Sequence, residues 1–127
     1  MKTIVDTPKT VAQATADLEA AVKQHGFGVL HVHDLHQTLN AKGVPFSRAC
    51  RVLEVCNPHQ AKAVLEADMS LNMALPCRIS VWEQDGVTRI GTISPRAMLS
   101  MLSDSPELAK VADEVETTLN AIIRDAQ

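Results

Sequence analysis

Four dipeptides in this sequence place a helix-capping residue directly before a proline, and they limit where helices can begin. The side chain of a Thr, Asn or Ser cap accepts a hydrogen bond from a first-turn N–H that has no partner inside the helix. Proline suits the first helical position because its missing N–H would have no partner there. The sequence therefore predicts four helix starts. They are Thr7-Pro8, Asn57-Pro58, Ser94-Pro95 and Ser105-Pro106.

Apolar residues at helical spacing set the expected lengths of these helices. The first is predicted over residues 8–24, where Gly26 ends it. The others are predicted over residues 58–67, 95–102 and 106–123, and a short helix is expected over residues 34–42. The last has a continuous apolar stripe, which is typical of a helix that faces the core or a dimer partner.

Strands are expected in the segments between the helices. β-branched and apolar runs predict them at residues 27–33, 50–56, 77–83 and 87–93. Asp85-Gly86 joins the last two as a hairpin. The predicted order is α-β-(α)-β-α-β-β-α-α, in one domain over residues 1–127. We expect an α+β two-layer sandwich, with a four-stranded sheet and the helices packed mainly on one face.

Composition excludes two classes of partner. The net charge is −3 and aromatic residues make up 2% of the chain, so the basic and stacking surface that nucleic acid requires is missing. No apolar run approaches the roughly 20 residues of a membrane helix. We therefore expect a cytoplasmic protein that binds neither nucleic acid nor membrane. In that compartment its three cysteines would be free thiols.

Three short elements follow one another along the predicted strands. Gly26-Phe27-Gly28-Val29 opens the first, Cys56-Asn57-Pro58 with Ala61 follows the second, and Leu75-Pro76-Cys77 opens the third. In this order and spacing they resemble the family called domain of unknown function 302, over about residues 11–102. The resemblance implies a small two-layer α/β fold and no agreed catalytic residues. The helix at 106–123 lies outside the resemblance.

Cys56 is the centre of the first candidate site, which also includes Asn57, Pro58, His59 and Cys77. It precedes a helix N-terminus, where free N–H groups and the helix dipole favour an anion. A thiolate with a lowered pKa would act there as a nucleophile or metal ligand, with His59 or Cys77 assisting. In the alternative, Cys56 is a small buried side chain, and Asn57 and Pro58 only cap and start the helix.

The direction of the third predicted strand decides whether Cys56 and Cys77 meet. A parallel crossover would place them at opposite ends of the sheet, whereas an antiparallel strand would bring them together. The eight residues 68–75 allow either path. We favour the antiparallel arrangement.

Histidines form the second candidate site. By strict alternation Val29, His31 and His33 lie on one face of a strand, and His36 follows within a turn. Imidazole and thiolate groups bind zinc or copper. If the first two predicted strands are parallel, His33 and His36 approach Cys56 and His59 at one end of the sheet and make a mixed metal site. The ligands expected there are His31, His33, His36 and Cys56. The alternative is a set of solvated surface histidines.

Two further sets of charged residues are weaker candidates. Glu54 is on the Cys56 side of its strand and could act as a base. Arg48, Arg51 and Arg78 lie near strand starts and could hold an anion. For both sets, ordinary solvation at the surface is the alternative.

Three function classes remain. The favoured one is a binding or sensing module for a metal or small molecule near Cys56, expected to be a homodimer because of its amphipathic last helix. The second is a thiol-based redox protein or enzyme using Cys56, and the third is a structural or interaction domain. No phosphate loop, nucleophile elbow or catalytic triad order is present, which disfavours an enzyme.

Overall fold

Five β-strands, five α-helices and one 3₁₀ helix make up the computed structural model, which describes residues 1–127. No helix combines the length and the apolar character needed to cross a membrane. In chain order the elements are β1 Lys2–Thr7, α1 Val11–Gln24, β2 Gly28–Asp34, α2 Leu35–Ala41, β3 Cys50–Cys56, α3 Pro58–Ala67, the 3₁₀ helix Met69–Ala74, β4 Cys77–Gln84, β5 Val87–Ile93, α4 Pro95–Leu102 and α5 Pro106–Ala126.

The strands form one sheet in the order β1-β5-β4-β3-β2, and every neighbouring pair is antiparallel. The mixed α and β character is confirmed, but the prediction of four strands was wrong. β1 is the fifth and pairs with β5 at one edge of the sheet. Its alternation of Lys2, Ile4 and Asp6 with less exposed residues is that of an edge strand with one face towards the core.

Three of the four predicted helix caps are present. Asn57, Ser94 and Ser105 each accept a hydrogen bond from a backbone N–H of the following turn. The prediction at Thr7-Pro8 was wrong, because Thr7 is the last residue of β1 and is buried. Thr10 caps α1 instead. Helix α1 begins at Val11, four residues after Thr7, and the Thr7 hydroxyl accepts the backbone N–H of Lys9 at 3.3 Å instead.

The main core lies between one face of the sheet and helices α1 and α5. Leu18, Leu53, Ile79, Ile90 and Leu119 are completely buried there. A smaller cluster joins α3, the 3₁₀ helix and α4 to α5 beyond one end of the sheet. Its members are Val64, Leu71, Leu99, Leu108 and Ala112. The apolar stripe of α5 is therefore buried within the chain, so the homodimer expectation loses the observation on which it rested.

The opposite face of the sheet is called the open face below. Alternation along the paired strands assigns its residues, most of which are exposed or half-buried. They are Lys2, Ile4, Asp6, His31, His33, Cys50, Val52, Glu54, Cys56, Arg78, Ser80, Trp82, Gln84, Val87, Arg89, Gly91 and Ile93.

Candidate functional site

The end of β3 and the start of β4 meet at one end of the sheet. β3 and β4 are antiparallel, with Val55 opposite Cys77, and Gly28 of β2 lies opposite Cys56. The favoured antiparallel direction is thus confirmed. Helix α3 leads the chain away from the end of β3, and the 3₁₀ helix that follows it returns the chain to the start of β4 beside β3. The three short elements singled out in the sequence therefore come together.

The two cysteines differ in their surroundings. Cys77 lies on the core face, and its burial, with a smaller contribution from Cys56, raises the pKa of its thiol to about 11. Cys56 lies on the open face, and partial burial raises the pKa of its thiol as well. Both shifts favour the neutral thiol, which is the opposite of the lowered pKa expected beside a helix N-terminus. All three cysteines are free.

The helix cap explains why Cys56 gains little from its position. The Asn57 side-chain oxygen accepts the backbone N–H groups of His59 at 3.0 Å and Gln60 at 3.2 Å. These are the donors that would otherwise stabilise a thiolate at the start of α3. The His59 side chain is exposed, and no hydrogen bond connects it to Cys56. Asn57 and Pro58 thus serve as cap and first helical residue.

Two cavities lie on either side of the segment Leu75-Pro76-Cys77. The smaller, about 70 Å³, is mostly apolar and is bordered by Cys56, Asn57 and Gln60. The Oε1 atom of Gln60 is buried without a hydrogen-bond partner. The larger, about 450 Å³, is a groove on the open face. This segment forms the wall between the two cavities, together with other residues that border both. The six shared residues are Ala74, Leu75, Pro76, Cys77, Pro95 and Met98.

The groove has a sheet floor and a wall at one end. Part of the floor consists of open-face residues from three neighbouring strands. They are Val52 of β3, Ser80 and Trp82 of β4, and Gly91 of β5. The wall comes from the end of the 3₁₀ helix and the start of α4. Its residues are Met73, Ala74, Leu75, Pro76, Pro95 and Met98.

Trp82 has a fixed place in this floor. A Cβ atom built on Gly91 would lie 3.0 Å from the Cη2 atom of Trp82, so the indole ring covers this glycine. The indole N–H donates to Oε1 of Gln84 at 3.2 Å, and Nη1 of Arg89 donates to the same oxygen at 3.0 Å. The one tryptophan of the chain therefore reports directly on the groove.

The four residues proposed as metal ligands do not come together. β2 and β3 are antiparallel, not parallel, so His33 lies opposite Val52, several residues from Cys56. His36 belongs to α2, beyond the other end of β2. No group of three His, Cys, Asp or Glu side chains is placed as a metal site would require. The parallel arrangement behind that hypothesis was wrong.

A bulge between Val29 and His31 also changes the assignment of faces in β2. Val29 pairs with Val55 of the core face, whereas His31 pairs with Glu54 of the open face, so Leu30 is the extra residue. Strict alternation had placed Val29 with the histidines. The His31 and His33 rings stand edge to face with centroids 4.4 Å apart.

Glu54 belongs to a polar cluster with these histidines. Its carboxylate bonds Nε2 of His33 at 2.5 Å. That hydrogen bond, then the charges of His33, Arg78 and His31, lowers the pKa of Glu54 against the opposing effect of desolvation. The paired carboxylate is ionised at neutral pH and is a weak base.

The three arginines considered for an anion site have separate roles. Arg51 lies 3.8 Å from a carboxylate oxygen of Asp34, and the Arg48 guanidinium lies over the ring of Phe46 at 5.3 Å. Arg78 lines the groove and has no ion pair. Sequence reasoning missed Lys2 and Ile4 in the same groove, because both belong to the unpredicted strand β1.

An antiparallel five-stranded sheet with helices on one face and a ligand-sized groove on the other defines this chain as a mixed α/β domain. The family model described as domain of unknown function DUF302 matches residues 3–126, so the chain belongs to that family. The match extends beyond residues 11–102 on both sides and includes β1 from Thr3 onwards and the whole of α5.

A solved structure gives the same result. The chain is similar to the uncharacterized conserved protein DUF302 from Bacillus stearothermophilus, with 32% sequence identity and a TM-score of 0.93. The similarity covers 99% of this chain and 98% of that one. No curated protein matches the chain.

Proposed function

We propose that this chain is a small-molecule-binding domain and that the groove on the open face is its ligand site. The observation that carries the proposal is the groove itself. Its volume of about 450 Å³ lies within the range of roughly 300–1,000 Å³ that small-molecule sites occupy. More than half of its lining residues are apolar, and a few polar groups are placed among them, as is usual for such sites.

This proposal keeps the candidate site near Cys56 but moves its centre. Pro76 and Cys77 border the groove directly, whereas Cys56 borders the smaller cavity behind them. The raised pKa values of both thiols support ligand binding over thiol chemistry. Cys56 would then act on the site through the Leu75-Pro76-Cys77 wall.

Fragment screening tests the proposal, with binding followed by NMR and by the fluorescence of Trp82. Ser80→Phe fills the floor of the groove, and Ser100→Phe is the matched control on an exposed turn of α4. We expect hits at millimolar concentration that Ser80→Phe weakens at least tenfold and Ser100→Phe leaves unchanged. The proposal would be refuted if a chemically varied library gave no hits, or if the hits bound the Ser80→Phe protein as tightly as the natural chain.

A homodimer formed through the open face is the second candidate. Ile4 and Ile93 keep 46% and 54% of their surface exposed there, which is unusual for neighbouring large apolar residues on a sheet. Light scattering after gel filtration tests it. We expect a dimer mass for the natural chain and a monomer mass for Ile93→Glu; a monomer mass for both would exclude this interface.

Zinc or copper binding and a cytoplasmic location stay as subordinate proposals. His31 and His33 supply two neighbouring imidazoles, and Glu54 is hydrogen-bonded to one of them. Titration of the reduced protein with either metal, read by native mass spectrometry, tests binding. The absence of a stoichiometric complex would end the metal proposal. Three free thiols are consistent with a reducing compartment.

A further inference from the structure

We propose that the groove selects small amphipathic anions, with one carboxylate-like head on an apolar body, and that Lys2 and Arg78 bind the head. This inference rests on the proposed function and names its ligand class. Arg78 is one of the three arginines that the sequence offered for an anion, whereas Lys2 drew no attention there. Lys2 joins the site only through the pairing of β1 with β5.

The groove is cationic in an acidic protein. The chain has 15 acidic and 12 basic residues, yet no aspartate or glutamate lines the groove. Lys2 and Arg78 do line it. An anion that enters the groove therefore meets two positive charges and no directly lining negative charge.

The register of the sheet brings the two cations to one place. Lys2 lies opposite Ile93 across β1 and β5. Ser80 of β4 lies opposite Gly91 of β5, and the same register continued by two residues places Arg78 on the other side of Ile93. A hydrogen bond from the Thr92 hydroxyl to the Arg78 carbonyl, at 2.7 Å, supports this placement. The two residues stand two strand spacings apart, about 10 Å. Both are long side chains, so their charged ends can converge on a single head group.

Both cations are free to bind. The other two arginines of the sheet, Arg51 and Arg89, form ion pairs with Asp34 and Asp6. Lys2 and Arg78 take part in no ion pair.

The carboxylate nearest to Arg78 has another partner. Glu54 lies opposite Arg78 across β3 and β4, but its Oε1 atom is hydrogen-bonded to His33. Glu54 partly offsets the charge of Arg78 from the side away from Lys2. The arrangement favours an anion between Lys2 and Arg78 over one near β2.

The rest of the groove selects an apolar body. This part of the groove is lined by Ile4, Trp82, Ile93 and Met98. None of these side chains is charged, so none can bind a second anionic group of a ligand. A polyphosphate carries several negative charges along its length, whereas Lys2 and Arg78 are the two charged residues of the lining and lie at one place in it. A neutral apolar molecule would leave both cations unused. The ligand that uses the whole lining carries one anionic head on an apolar body.

Matched probes test this inference on the full chain. Octanoate, octanol and octylamine share an apolar chain and differ in the head, and each is titrated against Trp82 fluorescence and NMR shifts. We expect octanoate to bind at least tenfold more tightly than the other two. The double variant Lys2→Met/Arg78→Met should lose that preference. Lys23→Met/Arg124→Met, which removes two exposed cations from α1 and α5, should keep it.

The outcomes separate the two proposals. Equal binding of octanoate and octanol in the groove would overturn the anion inference and leave the small-molecule site standing. A preference for octylamine would overturn it as well. A preference for octanoate that survives Lys2→Met/Arg78→Met would assign the anion to other residues and refute the inference. No binding by any probe, combined with a fragment library without hits, would refute both. Urea unfolding of each variant establishes that a lost preference is not a lost fold.

Discussion

Among the glycines of the chain, Gly91 is the one where an added methyl group would meet the closest neighbours. It lies in β5 on the open face, between Ile4 of β1 and Ser80 of β4. A Cβ atom at this position would meet the Thr3 carbonyl oxygen at 3.0 Å, the Trp82 ring at 3.0 Å and Ile4 at 3.2 Å. Ordinary contacts of a Cβ atom begin near 3.4 Å. Gly91→Ala therefore forces at least one neighbour to move.

The size of the effect follows from which neighbour can move. The Trp82 and Ile4 side chains can shift into the groove, but the Thr3 carbonyl belongs to the β1–β5 ladder and moves only with the strand. Overpacking of this kind costs about 1–3 kcal/mol. Replacing glycine in a strand interior with alanine returns roughly 0.5–1 kcal/mol of conformational entropy. We expect a net loss of about 1–2 kcal/mol and a displaced Trp82 ring.

Urea unfolding followed by Trp82 fluorescence measures both effects, because the chain has one tryptophan. Gly28→Ala is the matched control, since a Cβ atom there meets only the Cys56 carbonyl oxygen, at 4.0 Å. We expect Gly28→Ala to be as stable as the natural chain or slightly more stable. A Gly91→Ala protein with the stability of Gly28→Ala and an unchanged emission maximum would show that Trp82 does not cover Gly91.

Three further predictions follow from the region around the groove. The Cys77 pKa of about 11 against an ordinary 9.0 means that the unfolded chain loses this proton first. The contribution of Cys77 to the free energy of unfolding is therefore fully present below about pH 9, and it falls by about 2–3 kcal/mol as the pH rises towards 11. Urea unfolding at several pH values should show a shallower fall for Cys77→Ala than for the natural chain. Equal dependence of stability on pH in the two proteins would refute the raised pKa of Cys77. Asn57→Ala should cost about 1 kcal/mol and Asn57→Asp much less, because only the second keeps an oxygen for the His59 and Gln60 N–H groups; equal losses in thermal unfolding would contradict the cap. By NMR titration, the lowered pKa of Glu54 should rise towards 4.5 in His33→Ala and should rise less in Arg78→Met. The contribution of Glu54 to stability is present above pH 4.5 and is lost as the pH falls through its lowered pKa. An unchanged Glu54 pKa in His33→Ala would contradict its pairing with His33.

Most helices and strands could be predicted from the sequence because local interactions determine where they begin and end. Asn57, Ser94 and Ser105 mark helix starts through contacts within one turn, so no distant partner is needed to read them. The Asp85-Gly86 hairpin is equally local, and both residues have the positive φ angles that such a turn needs. The meeting of Cys56 with Cys77 was harder to predict, because it depends on the path of residues 68–75.

The features that were missed depend on partners far away in the chain. β1 is recognisable as a strand once β5 lies beside it, since its own six residues alternate too briefly to stand out. The bulge at Leu30 shifts the register of β2 by one residue. The alternation of residues along β2 does not indicate that shift, because it depends on the pairing with β3. The groove was missed for the first of these reasons, because its residues Lys2 and Ile4 come from β1.

The position of Leu75-Pro76-Cys77 connects the sequence motif with the groove. These residues border the smaller cavity next to Cys56 and Asn57 on one side and the groove on the other. A change at Cys56 or Asn57 can therefore alter ligand binding without touching a ligand, by moving the segment that separates the two cavities. Under the function that we propose, the Cys-Asn-Pro and Pro-Cys elements would be positioning elements, and Lys2, Arg78 and Trp82 on the open face would recognise the ligand.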